Sequence, residues 1–72
     1  MSILVFRTSL KSKKDVQKIA KSLNVHKQVI TWNVDLEDWE NILRIEATKN
    51  GLTNEIAACI KGLGYLCEEL ED

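Results

Sequence analysis

At 72 residues the chain has room for one domain and one small core, and a domain of this size buries only about 60 to 65% of the surface its unfolded chain exposes. Hydrophobic residues at 44%, charged residues at 29% and no proline exclude a disordered chain, and apolar runs such as Ile3 to Phe6 are far too short to cross a bilayer. The formal net charge of -1 is split unevenly, with seven basic groups against Asp15 alone over 1–28 and three against ten acids over 29–72, a dipole that excludes the dominant positive field of a nucleic-acid binder.

Ile3–Thr8, ILVFRT, is rich in β-formers and predicts a strand with Leu4 and Phe6 on one face and Ile3, Val5 and Arg7 on the other. The period then changes. Val16, Ile19, Ala20 and Leu23 fall at i, i+3, i+4 and i+7, predicting an amphipathic helix over 12–23 with Lys13, Lys14, Gln17, Lys18 and Lys21 on its wet side. A polar connection leads into VITWNVDL, 29–36, whose alternation predicts a strand with Ile30, Trp32, Val34 and Leu36 inward and Thr31, Asn33 and Asp35 outward. EDWEN, 37–41, carries the turn residues of a hairpin, and a third strand over 42–48 puts Leu43, Ile45 and Ala47 inward. After Asn50-Gly51, Thr53 is expected to cap a second helix with the stripe Ile56, Cys59, Ile60 and Leu63, closing at Gly62 and Gly64. YLCEEL, 65–70, predicts a short fourth strand before an acidic tail frays.

The order βαββαβ, read as a single domain over 1–72, specifies an α+β, ferredoxin-like fold with two helices on one face of a four-stranded antiparallel sheet. Right-handed crossovers place the first and third strands centrally. The other sheet face is left open.

SLKSKKDV, 9–16, puts Lys11, Lys13 and Lys14 where the positive end of a helix dipole disfavours cations. Ser12 and Asp15 in the same stretch approximate a capping box, Asp standing for the preferred Glu, with each side chain satisfying an orphan amide of the first turn. Asp15 also offsets the flanking lysines.

FRTSLKSKKDV, WNVDLED, ILRIE and IKGLGYLCEEL resemble, in order and spacing, the heavy-metal-associated domain of soft-metal chaperones and P-type metal pumps. In that family the first loop has the form Met-x-Cys-x-x-Cys, whose thiolates grip Cu(I) or another soft ion. Leu10 matches the methionine that anchors the loop, Ser12 and Asp15 match the cysteines, and Tyr65 matches the residue that flanks the metal. A hydroxyl and a carboxylate are hard ligands, unsuited to a soft ion, and two oxygens are too few for a dedicated Mg or Ca site. The expectation is therefore a degenerate site, with no metal bound and no cofactor.

That makes the chain a small non-enzymatic binding module. Lys11, Lys13, Lys14, Lys18 and Lys21 are its candidate interaction surface, and the resemblance implies a protein partner with an acidic surface. Ile3, Val5 and Ile42, with Leu66 beside them, are a candidate apolar patch on the open sheet face, where a homodimer would pack. That face lacks the stacking aromatics of an RNA platform, so no nucleic acid is expected. The alternatives are a metal-transfer protein with an altered site at Ser12, Asp15 and Tyr65, taking a soft ion such as copper, or a small anion at the first helix N-terminus. Cys59 and Cys67 form no Cys-x-x-Cys pair; both are expected to be buried hydrophobes of a reduced cytoplasmic protein, with a soft-metal pair as the alternative. Trp32 reads as core, His26 as no ligand, and Trp39 as either a lid on the hairpin or an exposed contact anchor. One histidine and no glycine-rich phosphate loop give enzymatic chemistry no support.

Overall fold

The computed structural model describes residues 2–70, and its elements run β1 (Ser2–Thr8), α1 (Lys13–Asn24), β2 (Val29–Asp35), β3 (Ile42–Ala47), α2 (Thr53–Gly62) and β4 (Cys67–Glu69). The expected acidic tail at 71–72 lies outside the described residues. All strand pairs are antiparallel in the order β2-β3-β1-β4, so the first and third strands are central, as right-handed crossovers require. This is the ferredoxin-like α+β fold.

Alternation along β1 and β3 turns Leu4, Phe6, Leu43, Ile45 and Ala47 toward the helices, where they form one core with Ile19 and Leu23 of α1 and Ile56 and Ile60 of α2. The helical stripe of α1 works as its spacing requires: Ile19 and Leu23 are buried, Val16 and Ala20 half-buried. Leu10, between β1 and α1, is fully buried and anchors the first loop in the core. Each such aliphatic side chain contributes about 1.5 to 3 kcal/mol of burial.

Three expectations fail, each for a local reason. Ile30 is 53% exposed, because the β2–β3 register shifts between Val29 and Thr31: Val29 opposes Ala47 on the core face while Thr31 opposes Glu46 on the open face. Ile30 is the extra residue of that bulge, and an extra residue flips side-chain parity. Thr53 does not cap α2; Leu52 holds the N-cap position without a side-chain bond, and the Thr53 hydroxyl instead donates to Glu69 Oε2 at 3.2 Å. Leu63 and Cys59 leave the stripe of α2, being exposed and half-buried respectively, since the helix stops at Gly62 and Leu52 joins the core as its lower anchor.

That stop is a Schellman closure. The Gly64 amide donates to Lys61 O at 3.0 Å and the Tyr65 amide to Ile60 O at 3.4 Å, with Gly64 at φ 98, a backbone region costly for any residue with a Cβ. It fixes where Tyr65 leaves the helix.

Candidate functional site

Antiparallel pairing brings three connections to one end of the sheet: β1 to α1, β2 to β3, and α2 to β4. Hydrogen bonds tie them together. The Thr8 amide donates to Glu40 O at 3.2 Å, the buried Thr8 hydroxyl donates to Asn41 O at 2.6 Å and accepts from the Leu10 amide at 3.2 Å. Ser9 closes the other side, its amide donating to Leu66 O at 3.3 Å and its hydroxyl accepting from the Leu66 amide at 2.9 Å.

Within this frame the structure brings Ser12, Asp15 and Tyr65 together. Ser12, at the N-cap of α1 with extended φ and ψ, accepts from the Asp15 amide at 3.4 Å. The returning half of the box reaches one residue further than expected: Asp15 Oδ2 accepts from the Lys11 amide at 2.9 Å. The second oxygen, Oδ1, accepts from the Tyr65 hydroxyl at 2.8 Å, a contact across 50 residues of chain. Asp15 thus staples the first loop to α1 and to the connection after α2.

The Lys11 amide, then the Tyr65 hydroxyl, with smaller help from the Ser12 amide and the Lys18 charge, hold the Asp15 carboxyl below its ordinary 3.8 against the opposing effect of partial burial. The Tyr65 phenol is pushed up, by partial burial first and then by the carboxylate it donates to. A carboxyl depressed in the folded state stabilises above its unfolded value and loses that contribution as pH falls through the folded one. Asp15→Asn should therefore lower stability near neutral pH, with the gap to the wild type closing as the medium is taken below pH 3.8. Urea unfolding across that range measures it, and a constant gap would mean that the carboxylate charge plays no part.

The donor set does not suit a soft cation. The first loop offers a hydroxyl and a carboxylate whose two oxygens already accept hydrogen bonds, with no sulfur at either position. Among the described residues, no group of three or more His, Cys, Asp or Glu could hold an ion. Cys67 faces the core beside Thr8 in the β1–β4 register, and burial pushes its thiol up to about 11. A thiol raised from 9.0 stays protonated, hence unreactive, through neutral pH. Half-buried Cys59 should accordingly react with a thiol reagent in the native protein at pH 8, and Cys67 only on unfolding. Equal native rates, read by mass spectrometry, would contradict that burial.

The lysines Lys11, Lys13, Lys14, Lys18 and Lys21 are all exposed. Lys14, Lys18 and Lys21 border a shallow depression with Gln17 along α1. On the open sheet face Ile3, Val5 and Ile42 are interleaved with charges, opposite Glu46, Arg44 and Arg7 respectively, and Leu66 lies instead in the connection before β4. Arg7 is held by Glu68 at 2.7 Å and Glu40 at 3.8 Å. Trp32 packs against the core edge and donates to Asn24 Oδ1 at 2.9 Å. Trp39 is 83% exposed, which rules out the lid. His26 pairs with Glu55 at 2.5 Å, tying the connection between α1 and β2 to α2. Thr8 and Ser9, which stitch the loop end, were not singled out by the sequence; Thr8 shares the inward parity of Leu4 and Phe6, the one signal that marked it.

No family model matches the chain, and no curated protein matches it in sequence. Solved structures do. The chain is similar to the yeast copper transporter domain Ccc2a, solved in apo and Cu(I)-loaded states, at 18% identity over 97% of this chain and 96% of that one, with a TM-score of 0.82. The N-terminal domain of ZntA in its Zn(II) form matches at 13% identity, 96% and 92% coverage and a TM-score of 0.79. The Atx1–Cu(I)–Ccc2a complex matches at 18% identity, 97% and 96% coverage and a TM-score of 0.82. At such identities the likeness carries the architecture alone: the chain has the fold of these domains and of the HMA domain of the copper chaperone for superoxide dismutase.

Proposed function

We propose that this chain is a non-enzymatic, cytoplasmic interaction module that keeps the heavy-metal-associated fold, has given up soft-metal binding, and meets a protein of acidic surface through Lys11, Lys13, Lys14, Lys18 and Lys21. The observation that carries the reading is Asp15: where a thiolate of the resembled family would stand, a carboxylate is engaged on both oxygens in closing the loop. A ligand turned into a staple leaves the loop rigid and the lysines around it free to present charge. A small anion at the α1 N-terminus is disfavoured, because the Asp15 carboxylate already stands at that end of the helix, accepting from the Lys11 amide just before the N-cap, and would repel it. Association between macromolecules has a parallel in the Atx1–Cu(I)–Ccc2a complex, which concerns that pair and supplies precedent for the fold alone.

Affinity capture with the wild type and with Lys13→Glu/Lys14→Glu, side by side at low salt, tests the surface. The reading expects a specific set of acidic proteins held by the wild type, released by moderate salt and absent from the variant. Identical capture by both would overturn the lysine surface.

A further inference from the structure

Three of the large hydrophobic side chains the fold leaves exposed stand on two of its three stitched connections: Trp39 at 83% between β2 and β3, and Leu66 at 70% and Leu63 at 41% between α2 and β4. They share that end with two opposite charges, the acids Glu37 and Asp38 beside Trp39 and the lysines Lys11, Lys13 and Lys14 around the start of α1. The hairpin tip is held firmly. Asp35 Oδ1 accepts from the Glu37 and Asp38 amides at 3.0 and 3.3 Å, Asp38 Oδ1 accepts from the Glu40 amide at 2.8 Å, and Asn41 takes a positive φ of 48. A large aromatic fixed in water on a rigid turn is preorganised as a contact anchor.

We propose that this end is a self-association surface, on which the acidic Trp39 tip of one copy seats against the leucines and lysines of a second copy. The inference rests on the interaction-module reading and names its partner. What selects a second copy is charge complementarity: a two-fold contact needs both halves of a matching pair on one patch, and this end carries an acidic aromatic tip and a basic apolar bed together. The open sheet face lacks that arrangement, since Ile3, Val5 and Ile42 each lie opposite a charge of the neighbouring strand. Because the patch is small, the dimer is weak and forms reversibly in the micromolar to millimolar range, roughly 10 μM to 1 mM.

Sedimentation equilibrium of the whole chain from about 1 μM to about 1 mM tests the proposal, with Trp39→Ser, Lys13→Glu/Lys14→Glu and Glu37→Lys as variants of exposed positions whose folding is checked by circular dichroism. The expected result is a wild-type mass that doubles with concentration, a dissociation constant at least about tenfold weaker for Trp39→Ser, near-monomeric charge variants, and a dimer restored when the two charge variants are mixed. A wild type that stays monomeric throughout, a dimer indifferent to Trp39→Ser, or a mixture that fails to pair would overturn it. The capture experiment stands apart: acidic partners lost by Lys13→Glu/Lys14→Glu while the wild type remains monomeric would sink the second copy and leave the lysine surface intact.

Discussion

Leu10→Ala is expected to destabilise the protein by about 2 to 5 kcal/mol, the range for emptying a fully buried aliphatic site. Total stability for a domain of this size is about 5 to 10 kcal/mol, so the variant should lose a large share of it and its urea midpoint should fall in proportion. The cost is large because Leu10 has no exposure and sits in a loop whose backbone is held to Thr8 on one side and to Asp15, through Lys11, on the other. Little can collapse into the space. Leu10→Met, which conserves volume and restores the residue of the resembled family, should cost less than about 1.5 kcal/mol. Urea unfolding of the two variants measures the difference. A small effect of the alanine would show that the first loop is not anchored in the core.

Ser12→Cys/Asp15→Cys should convert the chain from one that takes up no Cu(I) against a competing chromophoric chelator to one that binds a single ion per chain. The positions already lie at N-cap and N3 of α1, with the Ser12 hydroxyl on the Asp15 amide, which is the i, i+3 spacing a pair of thiolates needs. A helix N-terminus lowers the thiol pKa, and thiolates supply the softness that a hydroxyl and a carboxylate lack. The exchange also removes the bonds from Asp15 to Lys11 and Tyr65, so the metal-free double variant should be less stable than the wild type and regain stability on loading by mass action. A double variant as inert as the wild type would mean that the loop has diverged in shape as well as in ligands.

The fold was legible because its signals are local and agree with one another. Val16, Ile19, Ala20 and Leu23 mark one helix face without reference to anything distant, and Leu4 and Phe6 mark one strand face in the same way. The failures arise where the deciding partner is remote or the backbone breaks step. Ile30 alternates correctly along its own strand, but side-chain direction there is set by the register with β3, and the bulge is invisible until the pairing is known. Thr53 is a sound cap residue by type, yet Glu69, 16 positions on, takes its hydroxyl. Leu63 continues the helical period past a helix that Gly64 has already closed.

The site divides likewise. Ser12 and Asp15 were legible as a box from spacing alone, whereas their tie to Tyr65 rested on the family resemblance, since nothing in local sequence joins residues so far apart. Extension of the box to Lys11 depends on the backbone path before the N-cap, which spacing does not encode. Trp39 posed a choice between lid and anchor that only its exposure could decide. The interleaving of Ile3, Val5 and Ile42 with Glu46, Arg44 and Arg7 appears only with the β1–β3 register.

Native mass spectrometry of the freshly purified, reduced protein, with and without added Cu(I) and Zn(II), tests most directly the claim that the fold has outlived its metal site. The account predicts chain-mass species, monomer and dimer, that take up no stoichiometric ion. One tightly held ion per chain would contradict it, and would turn attention to Cys59, Cys67 and Tyr65 as members of a site that the Asp15 staple conceals.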